Sequence, residues 1–192
     1  MNDLFPVFLK LSNYRTLVVG AGKMAALRVK QLLAAGAKVT VIAPAADASL
    51  ASLAEAGLIE MHERAFVRSD VTRDYFLVIG ATDDPATQVA VADEAKALGL
   101  LYNLVDAPEH CNFFTPAVVE RGDLRIAIST NGQSPVLARR LRELLEAIIP
   151  SAAGEWVREL GAMRRKLRFE IPSDYEARKR IIEEVIERTV QR

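Results

Sequence analysis

The sequence predicts an α/β fold: a parallel sheet with helices on both faces, followed by a smaller segment and C-terminal helices. Three observations carry that expectation. Short β-branched runs alternate with stretches of helical periodicity through the first half of the chain. The first run ends in a glycine-rich turn that opens a helix. After Asn112 the alternation stops, and amphipathic helical stretches with prolines between them close the chain.

Each element has its own signal. Thr16 to Val19 is a short apolar run ending in glycine, as a strand buried on both faces would be. From Lys23 to Ala35, Met24, Leu27, Val29, Leu32 and Leu33 recur at roughly helical spacing, and Gly36 follows where a helix would end. Lys38 to Ile42 is a second β-branched strand stopped by Pro44, and Ala48 to Ala56 is an alanine-rich helix. Ile59 to His62 gives a brief strand, Phe76 to Ile79 a fuller one, Ala86 to Leu98 a helix and Leu101 to Val105 the next strand. Alternation of this kind implies right-handed crossovers and ligands at the carboxyl ends of the strands, here after Val19, Ile79 and Val105. Beyond it, Leu124 to Ile128 reads as a strand. Ser134-Pro135 opens a helix to about Ile149, and Glu155 to Phe169 and Asp174 to Val190 are further helices. The expected organisation is a sheet domain over 1–112, a segment over 113–150 and a helical region over 151–192.

Composition narrows the class. Lysine plus arginine number 25, as do aspartate plus glutamate, so no whole-chain field exists to draw in nucleic acid or an anionic membrane. No stretch approaches the roughly 20 apolar residues that span a bilayer. With a single cysteine, Cys111, and no basic start followed by a long apolar run, the chain is expected to be soluble and cytoplasmic.

The turn Gly20-Ala21-Gly22-Lys23-Met24-Ala25 has the spacing of a dinucleotide fingerprint in the setting the fingerprint requires, between a strand and a helix. Gly20 permits the tight turn, Gly22 lets the backbone approach a pyrophosphate, and small Ala25 lets helix and strand pack closely. The helix start then presents its amides and partial positive charge to the phosphates. This makes the sheet domain Rossmann-like. The acid expected at the end of the second strand is replaced by Ala43-Pro44, with Asp47 arriving late. No arginine or lysine beside Ala43 greets a 2′-phosphate, so NAD is favoured over NADP.

Further chemistry gathers at the strand ends. Thr82, Asp83 and Asp84 follow the strand ending at Ile79 and either line a cofactor or cap the next helix. Asp106 follows Asn103-Leu104-Val105 and is either a turn residue or a base. Ser134 before Pro135 is ordinary helix-capping chemistry. Arg121, Arg125, Arg139, Arg140 and Arg142 either bind carboxylates bidentately or form a solvated face. With only His62 and His110, no clustered metal site can be built from sequence neighbours.

Several segments together resemble the precorrin-2 dehydrogenase family of the siroheme synthase N-terminal type. They are Phe5 to Leu9, Leu17 to Gly22, Ala81 to Pro85, Asn103 to Asp106, and Ser129 to Pro135 leading into Val136 to Leu141. The match runs from about Asp3 to Pro150, in the right order and spacing. The resemblance implies NAD-dependent oxidation of precorrin-2 to sirohydrochlorin, with Asp106 on the family's essential aspartate as proton acceptor. It places the cofactor on Gly20, Ala21, Gly22, Lys23, Met24, Ala25, Ala43, Pro44, Thr82 and Asp83. The tetrapyrrole then falls to Asn103, Ser134, Arg139 and Arg140. It further implies that Ser134 matches a serine phosphorylated in some members, and that iron insertion is open. A homodimer is implied too, its interface using the apolar stripe Leu137, Leu141, Leu144, Leu145 and Ile148. Methylation of uroporphyrinogen is not expected of a chain this short.

Two readings compete. A nucleotide-sensing regulatory module shares the glycine-rich turn and the Ala-Thr-Asp-Asp stretch, but usually keeps the acid after the second strand and leaves Asn103 to Asp106 unexplained. A purely structural dimerisation protein leaves the glycine spacing unexplained.

Overall fold

The computed structural model describes residues 4–190, which divide into two compact units, one ending at Thr115 and the other beginning at Pro116. The first is built on five parallel strands: β1 (Arg15–Val19), β2 (Lys38–Ala43), β3 (Ile59–Glu63), β4 (Tyr75–Gly80) and β5 (Leu101–Leu104). They lie in the order β3-β2-β1-β4-β5, so chain direction across the sheet reverses between β1 and β4. Three helices form the crossovers: α1 (Lys23–Ala34), α2 (Ala48–Glu55) and α3 (Pro85–Ala97). This is the Rossmann-like arrangement, and its switch point between β1 and β4 is where such sheets bind ligands.

Side-chain alternation along the strands explains the two-faced core. Val18 of β1 joins Val29, Val41, Leu50 and Ile79 in one buried cluster, while its neighbours Leu17 and Val19 join Ile42, Val78, Val91 and Ala95 in another. A strand buried on both faces must be apolar at every position, as Leu17, Val18 and Val19 are. Thr16, also fully buried, spends its hydroxyl on the Lys38 carbonyl at 3.3 Å.

The sheet unit reaches past the boundary expected at Asn112, because Phe113 packs against the first cluster. Asn112 explains how: its amide accepts from Tyr102 N at 2.8 Å and donates to Leu100 O at 2.8 Å, standing in for a further strand along β5.

In the second unit, β6 (Ala117–Arg121) and β7 (Leu124–Ile128) form an antiparallel hairpin, followed by α4 (Pro135–Ile148), α5 (Ala153–Glu170) and α6 (Tyr175–Val190). Strand β6 was not expected from sequence. Arg121, a candidate for substrate carboxylates, is spent on the fold: its guanidinium donates to Glu146 O at 2.7 Å and Ile149 O at 3.2 Å. Those carbonyls end α4, where no helical amide remains to pair them and partial negative charge collects. None of the described helices is long and apolar enough to cross a membrane.

Candidate functional site

Backbone hydrogen bonds carry the ladder one residue beyond the strands and bring three loops level at the sheet's carboxyl edge. Gly20 N donates to Ile42 O (2.8 Å), Ala81 N to Val19 O (2.7 Å) and Val105 N to Gly80 O (2.8 Å). The glycine-rich turn, Ala81-Thr82 and Val105-Asp106 therefore stand side by side across the switch point.

Gly20 has φ +111, and a Cβ there would lie 2.5 Å from the Ala81 carbonyl carbon and 2.9 Å from Thr82 N, overlapping the Ala81 oxygen as well. The turn is thus pressed against the β4 loop by backbone alone. Gly22, at φ −78, faces open space: no atom lies within 4 Å of where its Cβ would be. Ala25 is fully buried against the sheet and Ala21 nearly so, while Lys23 and Met24 are exposed.

Helix α1 differs from the other two helices of the sheet unit in how it begins. Asp47 caps α2 through Ser49 N, and Asp84 caps α3 through Ala86 N and Thr87 N. Gly22 offers α1 no side-chain cap, and no acid occupies its first turn. The amides of Lys23, Met24 and Ala25 thus head a helix whose positive end is left for a ligand, with Gly22 providing clearance above it. That donor set fits a dinucleotide pyrophosphate.

Around this cradle, Ala43 is buried at the end of β2 and Pro44 is exposed. Asp47 is nearer than its place in sequence suggests, its N–H donating to Ala21 O at 3.2 Å. Thr82 Oγ1 accepts from Asp84 N (3.3 Å). With Asp84 committed to its cap, Asp83 is the exposed carboxylate left over in that loop.

Asp106 is exposed and holds φ +64, a left-handed conformation that Asp and Asn tolerate better than other non-glycine residues. Asn103, expected to meet substrate, is instead buried. Its amide donates to Phe113 O at 3.0 Å and Cys111 Sγ at 3.5 Å, because a polar side chain inside the sheet must find partners there. Burial pushes the Cys111 thiol above its ordinary range, and Sγ accepts from Leu104 N at 3.1 Å. Sequence reasoning missed Gln88, whose Nε2 donates to both Thr82 O (2.9 Å) and Val105 O (3.2 Å).

In the second unit Ser134 Oγ accepts from Leu137 N at 3.2 Å, the capping geometry its sequence implies. Arg139 and Arg140 are strongly exposed and share Glu143, at 3.0 and 3.3 Å, which holds that carboxylate below its usual range. Arg142 pairs with Glu146 at 2.6 Å.

The model of an NAD(P)-binding family matches residues 7–117, more than half of the chain, and that of the sirohaem biosynthesis protein central region matches 121–148. The chain belongs to the NAD(P)-binding family of the siroheme synthase N-terminal type. The siroheme synthase of Methylococcus capsulatus is 43% identical over 170 residues, 88% of this chain and 36% of the relative. That of Chromobacterium violaceum is 39% identical over 185 residues, 96% of this chain and 39% of the relative. This member of the family thus spans little more than a third of the length of those siroheme synthases. Among solved structures, SirC, precorrin-2 dehydrogenase, superposes with a TM-score of 0.78 at 27% identity, covering 95% of this chain and 89% of SirC.

Proposed function

We propose that this chain oxidises precorrin-2 to sirohydrochlorin with NAD, a step in siroheme biosynthesis. The observation that carries this reading is the likeness to SirC, precorrin-2 dehydrogenase, which takes in nearly the whole of both chains and therefore both units described above.

The oxidation removes two electrons and two hydrogens, one as hydride and one as proton. Bound NAD supplies the hydride acceptor. Gly20, Ala21 and Gly22 with the amides of Lys23, Met24 and Ala25 hold its pyrophosphate, Ala43 and Pro44 flank one end of the cofactor, and Thr82 and Asp83 flank the other. Asp106 takes the proton on its carboxylate and passes it to solvent, to which it is open. A carboxylate is a weak base, and it suffices because a macrocycle that has lost hydride is cationic and readily gives up a proton. Ser134, Arg139 and Arg140 serve the substrate's carboxylates, the arginines by exchanging Glu143 for them.

A second copy of the chain completes the assembly. In the single chain α4 leaves Val136 79% and Ile148 73% exposed, with Leu137, Leu141 and Leu144 also open, a face that a partner would cover.

Anaerobic incubation with precorrin-2 and NAD tests the reaction: NADH and sirohydrochlorin should rise together in equal amounts. NADH binding without turnover would refute the dehydrogenase reading and leave a nucleotide-sensing module. Ferrous iron added to sirohydrochlorin measures chelation separately.

A further inference from the structure

Gln88 is where two loops of the site meet. It lies on the first turn of α3, and both hydrogens of its amide are used, one on Thr82 O at 2.9 Å and one on Val105 O at 3.2 Å. Thr82 belongs to the loop after β4, and Val105 is the residue before Asp106. A single side chain thus joins the two strand ends on one side of the switch point.

The amide orientation follows from its partners. Turning it over would set Oε1 against two carbonyl oxygens, so Nε2 must face them. Oε1 is then left buried with no hydrogen-bond partner, tucked where a Cβ on Gly80 would come within 2.5 Å of it. A buried carbonyl without a donor costs free energy. An apolar side chain at this position would avoid that cost, so the amide is explained by what its nitrogen holds. The absence of a side chain on Gly80 makes the room.

We propose that Gln88 is a positioning residue: by clamping the β4 and β5 loops together it fixes the left-handed backbone at Asp106 and so the direction of that carboxylate. The inference rests on the dehydrogenase reading for its chemical consequence, but the clamp can be measured without it. Backbone bonds flank Asp106, Val105 N to Gly80 O at 2.8 Å and Ala107 N to Leu104 O at 3.5 Å, and Gln88 adds a grip from α3, on Val105 O.

The test uses Gln88→Leu, which removes the donor and the unpaired carbonyl together at similar volume, and Gln88→Glu, which keeps the shape and turns the donor into an acceptor. Three readouts are taken on the full chain: melting temperature with NADH affinity, amide hydrogen exchange of a peptide covering 103–112, and kcat with KM for precorrin-2. In Gln88→Leu the chain should stay folded and still bind NADH, with a modest fall in melting temperature because Thr82 O and Val105 O lose their donor, while exchange in the peptide speeds up roughly tenfold or more. A misplaced carboxylate should lower kcat by roughly ten- to a hundredfold with KM little changed. In Gln88→Glu, kcat should rise as pH falls, since only the protonated acid can donate to one of the two carbonyls. A purely structural role predicts the fall in melting temperature alone, with normal kcat in the folded fraction.

Unchanged exchange in the 103–112 peptide overturns the proposal, and so does faster exchange with unaltered kcat. If Gln88→Leu does not fold, the pH profile of Gln88→Glu decides, and a profile parallel to that of the unaltered chain overturns the clamp. If the unaltered chain itself turns over no precorrin-2, the dehydrogenase reading fails and the exchange measurement still decides whether Gln88 holds the loop.

Discussion

The two glycines of the turn should fail in opposite ways when each is replaced by alanine. At Gly20 the backbone has φ +111, where an L-residue is strained by about 1–3 kcal/mol, and the added methyl would overlap the Ala81 carbonyl. The obstacle is main chain held by Ala81 N to Val19 O at 2.7 Å, so it cannot swing aside, and such overpacking costs about another 1–3 kcal/mol. Gly20→Ala should therefore lose about 2–6 kcal/mol, which lowers Tm by at least about 4 °C for a chain of this size. At Gly22, φ is −78 and no atom lies within 4 Å of the new Cβ. The unfolded chain loses entropy, worth about 0.4–1 kcal/mol, and alanine is a poorer N-cap than glycine, so the two effects offset and stability stays within about 1 kcal/mol. The methyl instead occupies the clearance over the α1 amides, and NADH affinity should fall roughly tenfold or more, about 1.4 kcal/mol. Differential scanning fluorimetry and NADH fluorescence titration on both variants read the two effects. Gly22→Ala binding NADH as tightly as the unaltered chain would place the cofactor elsewhere and refute the reasoning. A normal melting temperature for Gly20→Ala would show that the turn is not pressed on Ala81.

Asp106→Asn keeps a residue that accepts φ +64, so folding and NADH affinity should be retained while precorrin-2 oxidation drops by about 10²–10⁴-fold; unchanged turnover removes Asp106 from the chemistry. Asp70, whose carboxylate receives Arg64 at 2.6 and 2.8 Å and Val67 N at 2.8 Å, is held below the usual carboxylate range, chiefly by Arg64. A depressed folded-state pKa stabilises above the unfolded value, about 3.9, and that stabilisation is lost as pH falls through the folded value. Asp70→Asn should therefore lower Tm at neutral pH and converge with the unaltered chain in strong acid, and a gap independent of pH would contradict this. Ile148→Asp, on the open face of α4, should convert a dimer to a monomer in light scattering after size exclusion while leaving each chain folded. A dimer that survives it uses another face.

The sheet was legible because its signals are local. A strand buried on both faces must be apolar at every residue, and a helix that starts at a ligand must start without a capping acid, so Leu17 to Val19 and Gly20 to Ala25 announced themselves. Strand β6 was missed although a cue existed: Gly122-Asp123 is a two-residue turn between Val118-Val119 and Leu124 to Ile128, with Gly122 at φ +56. Asn103 and Arg121 were hard to assign for a different reason. A polar or charged residue near a site has the same one-letter identity whether it faces substrate or repairs the fold, and both repair the fold, Asn103 on Phe113 O and Arg121 on the end of α4. Gln88 carried no cue, since a glutamine in a helical stretch is common and its partners lie 6 and 17 residues away.

Spacing along the chain was also a poor guide to the acid of the fingerprint. Counted in sequence, Asp47 comes too late after β2 to serve. Folded, the turn after Pro44 doubles back, and Asp47 donates its N–H to Ala21 O inside the glycine-rich turn itself. Its Oδ1 accepts both Ser49 N at 2.9 Å and Ser49 Oγ at 2.6 Å, and these bonds, helped by the fields of Lys30 and Lys23, hold it below the ordinary carboxylate range. The charge beside the turn is therefore firmly negative, with two lysines acting on it through space. Asp47 thus joins the glycine-rich turn through its backbone, which its distance along the sequence does not reveal.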